Sequence, residues 1–386
     1  MIDENLKQWA TPRQSEYIDA VIAFKGIRPA ARKLGISHTG LLRSLKAVKK
    51  KAALQGWSPE HDLTKTVPEP FVIRGTSTLY DENGKPKLQW VKTRLDDQKL
   101  QEMLEGAVAA MTGELVPVKP IKPPKIANSH LLNLYTMTDS HVGMRAWGHE
   151  CGEDWDLEIA ERVLYGAMEH VITHSPEAET GVLNQLGDWL HYDSLTAVTP
   201  LHQNVLDADG RYPKVIEVAV RILRRIVALM LTRHKKVIVL IAEGNHDLSS
   251  SVWLQHLFSL LYEKEPRVDV IKSAMPYYQI QHGKTMLAFH HGHLSKNDQL
   301  PILFAAQFPK VWGGTTKRYC HTGHRHHTEE KEHSGMTVIQ HPTLAARDAY
   351  AARGGWIADR SLTAITYHSE FGQVARTTVT PEMLKA

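Results

Sequence analysis

The chain has 386 residues, 42% of them apolar and 23% charged, a length that favours two or three domains and a balance that excludes collagen-like, low-complexity and wholly disordered chains. Its net charge of +4 hides an uneven distribution, because residues 1–66 hold 12 Lys and Arg against 6 Asp and Glu, and an acidic partner is expected at that end. The longest apolar run, Val237 to Ala242, is strand-sized and no membrane span; the start MIDENLKQWA lacks the basic and then apolar pattern of an export signal; and two cysteines, Cys151 and Cys320, fit a reducing compartment. The chain reads as cytoplasmic.

In chain order, residues 14–56 read as three helices, QSEYIDAVIAF, RPAARKLG and HTGLLRSLKAVKKKAALQG, broken at Gly26 and Gly35. A short Gly-containing turn between the second and third helices is the helix-turn-helix pattern, with Ile36, Leu42 and Leu45 as core candidates. Nine basic residues and no acidic one lie between Lys25 and Lys51. Arg28, Arg32, Lys33, Arg43, Lys46, Lys49 and Lys50 are therefore the DNA-binding candidates, since a phosphate-tracking face needs such a surplus. The alternative is a helical protein-contact module with a solvated basic face. Phe71 to Leu95, two β-prone runs around Asn83-Gly84, reads as a hairpin. Asp96 to Glu114 reads as a helix, and Val116 to Ile126, with four prolines in eleven residues, as a semi-rigid spacer. The expected division is 1–60 for the helical module, 61–127 for hairpin, helix and linker, and 128–386 for one large domain.

Within that domain strands are expected over Leu132–Thr138, Gly181–Leu186, Lys236–Ala242, Thr285–His290 and Met336–Gln340, with helices over Leu157–Thr173, Pro213–Leu231 and Val252–Glu263. This alternation predicts an α/β fold with a layered sheet core. Histidine is concentrated here, only His38 and His61 of the 23 falling before residue 130, which suggests a metal domain. The strong strands run into Asp139-Ser140-His141, Gly187-Asp188, Gly244-Asn245-His246-Asp247, His290-His291-Gly292-His293 and Gly323-His324-Arg325-His326-His327. Ligands of open α/β sheets gather beyond the carboxyl ends of the strands, so five such loops can meet at one point. Taken singly, each is more ordinarily a surface turn or a helix cap.

Together and in this order the five blocks resemble the calcineurin-like metallophosphoesterase superfamily, over residues 130 to about 330 and more loosely to the end. The resemblance implies a layered β-sandwich flanked by helices and a two-metal site. Carried over residue by residue, it puts Asp139, His141, Asp188 and His326 on one metal and Asp188, Asn245, His291 and His324 on the other, with Asp188 shared. Mixed imidazole, carboxylate and amide ligands suit Mn²⁺, Fe²⁺ or Zn²⁺, and Mn²⁺ is the expected ion. His246 matches the family's general acid, and Asp247 would orient its imidazole or cap the following helix. His290 should face away from the site by strand alternation. His191, Arg325, His293 and Arg211 are candidates for substrate phosphate contacts, Arg211 lying with Lys214 in the long segment 194–214.

Superfamily members differ widely in substrate, and the basic neighbour discriminates: tethering it beside a phosphoesterase concentrates that domain on DNA. Gly187-Asp188-Trp189-Leu190-His191 and the Gly323–His327 block also look similar to the DNA-repair exonuclease branch, especially bacteriophage-encoded members with an amino-terminal DNA-binding segment, acting in the cytoplasm of an infected bacterium. The expected activity is an Mn²⁺-dependent DNA exonuclease, endonuclease or both. The alternatives are a small-molecule or cyclic-nucleotide phosphoesterase and a DNA-binding regulator with a silent phosphoesterase domain. A homodimer is compatible with the branch, whereas an ATPase partner is not expected, because no amphipathic docking helix follows Arg360.

Overall fold

The structure is a computed structural model and describes residues 2–54, 71–80, 86–95, 121–125, 128–202 and 204–384. The expected helix over Asp96–Glu114, the Asn83-Gly84 turn and residues 116–120 of the proline-rich stretch lie outside the described residues. The chain divides into two units, Met1–Ala110 and Met111–Ala386.

In the first unit a 3₁₀ turn over Glu4–Trp9 precedes α1 (Pro12–Ala23), α2 (Ile27–Lys33) and α3 (His38–Leu54). Helix α1 starts where the sequence supplies a reciprocal cap: the Gln14 N–H donates to Thr11 Oγ1 at 3.3 Å, and the Thr11 N–H to Gln14 Oε1 at 2.9 Å. Leu41, Leu45, Val48 and Ala52 recur at three- and four-residue spacing along α3 and are buried against Ile18, Val21, Ala30 and Ala31. Gly35 (φ 68°) makes the left-handed turn out of α2. Separately, β1 (Phe71–Tyr80) pairs antiparallel with β2 (Pro86–Leu95), Phe71 opposite Leu95 and Leu79 opposite Leu88.

The second unit is a four-layer sandwich. Its six-stranded sheet has the order β13-β12-β3-β4-β5-β6, in which β3 (Leu131–Met137), β4 (Thr180–Gln185), β5 (Lys236–Ile241) and β6 (Val268–Ile271) are parallel. β12 (Leu362–His368) and β13 (Gly372–Val379) add to it antiparallel. The five-stranded sheet has the order β10-β11-β9-β8-β7, with β8 (Thr285–Phe289), β9 (Lys317–Thr322) and β11 (Met336–Gln340) parallel and with β7 (Tyr278–His282) and β10 (Glu329–His333) antiparallel at its edges.

Strand alternation sorts the apolar residues into three cores. Leu132 and Leu134 of β3, Val182 of β4 and Ile238 and Leu240 of β5 face Leu287, Phe289 and Ile339 of the other sheet. Their neighbours Tyr135, Met137, Leu183, Val237 and Val239 face the helices Leu157–His174, Tyr212–Arg233 and Leu248–Leu261. Met286, Ala288, Cys320 and Val338 on the outer face of the second sheet are covered by Leu300 and Phe304 of the Leu300–Gln307 helix.

Two differences from the sequence expectation have non-local causes. The Leu248–Leu261 helix begins a turn earlier than expected, because Asp193, from the loop after β4, accepts the Ser249 and Ser250 N–H groups at 2.5 and 2.8 Å. Ile121, inside the expected spacer, packs on the helix-side core, and its carbonyl accepts from Arg267 Nη2 at 2.7 Å.

Candidate metal centre

The loops after β3 and β4 are zipped together by main-chain bonds. Asp139 N–H donates to Gly187 O at 3.1 Å, His141 N–H to Asp188 O at 3.0 Å and Val142 N–H to Trp189 O at 2.8 Å. The five-stranded sheet joins them, His291 donating from Nδ1 to Leu186 O at 2.8 Å and the His324 N–H to Asp139 Oδ2 at 2.9 Å. Among the described residues six other than glycine have positive φ, and five of these are Asp139 (51°), His141 (44°), Asp188 (48°), His324 (68°) and His326 (56°). Left-handed backbone at an L-residue costs on the order of 1–3 kcal/mol and persists where its surroundings impose it, most often at functional sites. Space is equally tight: a Cβ at Gly244 would stand 2.1 Å from Asp188 Oδ1, and one at Gly323 1.9 Å from Thr138 Oγ1. The glycines in these blocks let neighbouring loops close on the carboxylates.

Asp139 and Asp188 are buried, at 0% and 2% exposure. Asp139 Oδ2 also accepts from Thr138 Oγ1 at 2.6 Å, and its Oδ1 lies 3.1 Å from His326 Nε2 and 3.8 Å from His291 Nε2. Asp188 Oδ1 accepts the His246 N–H at 2.8 Å, and its Oδ2 lies 3.2 Å from His291 Nε2. Burial would raise both carboxyl groups, but the charges of His326 and His291 hold Asp139 below the usual range, and His291 by charge and hydrogen bond holds Asp188 well below it. Conversely burial opposes protonation of His291, yet Asp188 and Asp139 push it up to about 10.

That last pair shows what the pocket accommodates. His291 donates from Nδ1 to a carbonyl and turns Nε2 toward two carboxylates, 3.2 Å from Asp188 Oδ2 and 3.8 Å from Asp139 Oδ1. That edge needs positive charge between ring and carboxylates, which a proton on Nε2 supplies, as the raised value reflects, or a cation supplies to the neutral ring. Asn245 Oδ1 is likewise buried without a hydrogen-bond partner. Its neighbours on both sides, Gly244 and His246, lie against Asp188. The ring nitrogens and carboxylate oxygens fall into groups within 4.8 Å, Asp139/His141/His326 and Asp139/Asp188/His291/His324. Donors of this type and spacing fit divalent cations. Asp139 falls in both distance groups and Asp188 in the second, beside His291 and His324.

His246 stands at the edge of this cluster, its ring centroid 4.8 Å from that of His141. It donates from Nδ1 to the His191 carbonyl at 2.8 Å, which leaves Nε2 for another partner. His141, His191 and His246 form a third group of converging ring nitrogens.

The remaining expected site residues divide. His191 is buried, with Nδ1 3.3 Å from His141 Nδ1, and burial followed by the His246 charge lowers it to about 3. It backs His141 instead of lining an open surface. His293 is mostly buried, with Nε2 3.9 Å from Glu243 Oε1. Burial and then the His291 charge lower it to about 3. Arg325 and Arg211 are exposed, Arg211 immediately before the Tyr212–Arg233 helix. His290 turns away, stacked on Tyr277 at 4.7 Å and donating from Nδ1 to Pro276 O at 3.0 Å. Arg28, Arg32, Lys33, Arg43, Lys46, Lys49 and Lys50 are exposed on α2 and α3.

Asp247 requires a correction. Its carboxylate neither touches the His246 imidazole nor caps the helix that follows. It is fully buried and accepts main-chain N–H groups of Asp188, Trp189, Leu190 and Gly244 at 3.2, 2.7, 3.3 and 3.0 Å. The orienting of His246 falls to the His191 carbonyl. Thr343, which no motif marked, holds the Asp139 carbonyl through Oγ1 at 2.6 Å.

No protein-family model matches the chain, and no curated protein matches it. Several solved structures are similar. YfcE, a phosphoesterase from E. coli, is 17% identical over 64% of this chain and 98% of its own, with a TM-score of 0.29. A dimetal phosphatase from Danio rerio is 9% identical over 64% and 98%, with a TM-score of 0.35. An archaeal phosphodiesterase is 13% identical over 64% and 99%, with a TM-score of 0.33.

Proposed function

We propose that residues 128–386 form a metal-dependent phosphoesterase of the calcineurin-like type and that the whole chain hydrolyses DNA. The observation that carries this is the convergence of Asp139, His141, Asp188, His291, His324 and His326 from both sheets, five of them in left-handed backbone, with the His291 Nε2 edge turned toward two buried carboxylates. A merely structural polar cluster would have its hydrogen bonds satisfied.

In this reading Asp139, His141, Asp188, Asn245, His291, His324 and His326 hold two divalent ions, Mn²⁺ first, with Fe²⁺ and Zn²⁺ as the other fitting choices. Once bound, such ions supply Lewis-acid polarisation of the phosphoryl group and an acidified water. The chain's own residues do the rest. The buried aspartates keep their negative charge at neutral pH because histidines surround them. His246, held through Nδ1 by the His191 carbonyl, presents Nε2 to deliver a proton to the leaving oxygen. Exposed Arg325 and Arg211 are the candidate phosphate contacts.

The choice of DNA rests on the first unit. Its cations between Lys25 and Lys51 are exposed, with no acidic residue between them in sequence. Such a face binds phosphate polymers through counterion release. Read as a helix-turn-helix, it would deliver a bacteriophage-type repair nuclease to DNA in the cytoplasm. The deciding experiment is Mn²⁺-dependent cleavage by the purified full chain of single-stranded DNA, double-stranded DNA and a small aryl phosphodiester. DNA cleavage that disappears in Asp188→Asn supports the nuclease. Ester cleavage without DNA cleavage moves the assignment to small-molecule phosphodiesters, and no cleavage of any substrate overturns the enzyme reading.

A further inference from the structure

We infer that Asp247 is a positioning residue for the metal centre, its buried carboxylate clasping the loop that carries Asp188 to the loop that carries Asn245 and His246. The inference rests on the metal-centre reading above and adds a residue that touches neither the ions nor the substrate. Its geometry is specific. Three of its four N–H partners are consecutive, at Asp188, Trp189 and Leu190, and the fourth is Gly244. One carboxylate thus spans two loops that leave neighbouring parallel strands, β4 and β5. Across the same junction the His246 N–H returns a bond to Asp188 Oδ1 at 2.8 Å, and a Cβ on Gly244 would strike that oxygen. Asp188 has a φ of 48°, in the left-handed region, and the three N–H groups gathered on the Asp247 carboxylate hold the main chain there. Removing that acceptor leaves buried N–H groups without a partner and lets the Asp188 carboxylate, the Asn245 amide and the His246 ring drift relative to one another.

The comparison is between full-length Asp247→Asn, Asp247→Glu and Asp193→Asn. Asp193 lies on the same loop, five residues after Asp188, and caps the Leu248–Leu261 helix at Ser249 and Ser250 without bonding the Asp188–Leu190 main chain, so it controls for loss of a carboxylate that joins the two segments away from the Asp188 N–H groups. Mn²⁺ affinity is read by titration calorimetry, folding by circular dichroism and melting in EDTA, and catalysis as kcat and KM on the aryl phosphodiester. Asp247→Asn is expected to lose about 10- to 100-fold in Mn²⁺ affinity, with kcat falling at saturating metal and KM nearly unchanged. Asp247→Glu should recover part of the loss. Asp193→Asn should melt earlier in EDTA yet bind Mn²⁺ like the parent. Wild-type affinity in Asp247→Asn, or an equal loss in Asp193→Asn, overturns the inference. If Asp247→Asn does not fold, Gly244→Ala presses on the same junction from the other side, and unchanged Mn²⁺ affinity there is equally fatal. A parent chain that takes up no Mn²⁺ and cleaves no ester removes the metal-centre reading itself, and the inference with it.

Discussion

The three-helix segment and the sandwich bury different kinds of residue. Every described buried residue of the helical segment is apolar, from Leu6 to Ala52. The sandwich buries Asp139, Asp188 and Asp247 together with His141, His191, His234, His290, His291, His321 and His341. An apolar interior is stabilised by burial alone and asks only for a stripe of the right period. A polar interior must supply each group with a partner, and where charge and left-handed backbone accumulate together the fold keeps a cost that function accounts for.

The sharpest way to break this contrast is at the sandwich's polar centre. Asp188→Asn should reduce phosphodiester hydrolysis by well over about 10²-fold, since a ligand is lost where even the residues behind ligands are worth 10- to 100-fold. Retained turnover in metal-replete protein would remove the metal-centre reading. His246→Ala should keep its bound metal and lose roughly 10²- to 10⁴-fold on DNA, with a smaller loss on an aryl ester whose leaving group needs no proton. Metal loss in that variant would make His246 a ligand, as its place beside His141 and His191 allows.

The helical half is tested by removing it. Deleting residues 1–66 should weaken DNA binding and lower the slope of log affinity against log salt by about 0.9 for each phosphate the chain no longer neutralises. Hydrolysis of the small ester should stay as it was, and an unchanged salt slope would place DNA binding elsewhere.

The smallest effect separates the two interiors by pH. Buried His234 donates from Nδ1 to Ala178 O at 2.8 Å, and its Nε2 lies 2.9 Å from the Tyr135 hydroxyl. Burial lowers it from 6.5 to about 4. Between those values the unfolded chain binds the extra proton, so stability is fully present above pH 6.5 and is lost as pH falls toward 4. A depression of this size is worth up to about 3 kcal/mol. Melting of the sandwich should fall over this interval in calorimetry, while the helical segment, with no buried titratable group among its described residues, keeps its transition. His234→Gln should flatten the acid limb, and an unaltered limb would assign the sensitivity to other buried histidines.

The site was legible to the extent that its chemistry is local. Asp139, His141, Asp188, Asn245 and His246 each follow a strand within a few residues, and His291, His324 and His326 do the same on the second sheet, so strand pattern places the blocks at strand ends, while the family resemblance names the residues within them. Alternation also turns His290 away from the site. What the pattern missed depends on main-chain groups far along the chain. Asp247 is engaged by N–H groups 57 to 59 positions earlier, which no side-chain motif encodes. The Leu248–Leu261 helix starts early because its cap comes from Asp193. His191 has the expected residue type, but its direction is set by the His141 ring packed against it.

The centre draws on both sheets: Asp139, Asp188 and Asn245 follow strands of the six-stranded sheet, and His291, His324 and His326 follow strands of the five-stranded one. The donor groups Asp139/His141/His326 and Asp139/Asp188/His291/His324 each take members from both sheets. The pocket is therefore complete only in a chain that extends past His326 and has its two sheets docked. On the metal-centre reading, ion uptake would report the docking of the sheets, and a bound ion would act as a rivet between layers. Cut between β6 and β7, the chain would give two fragments whose reassociation tightens with added metal and loosens under chelation.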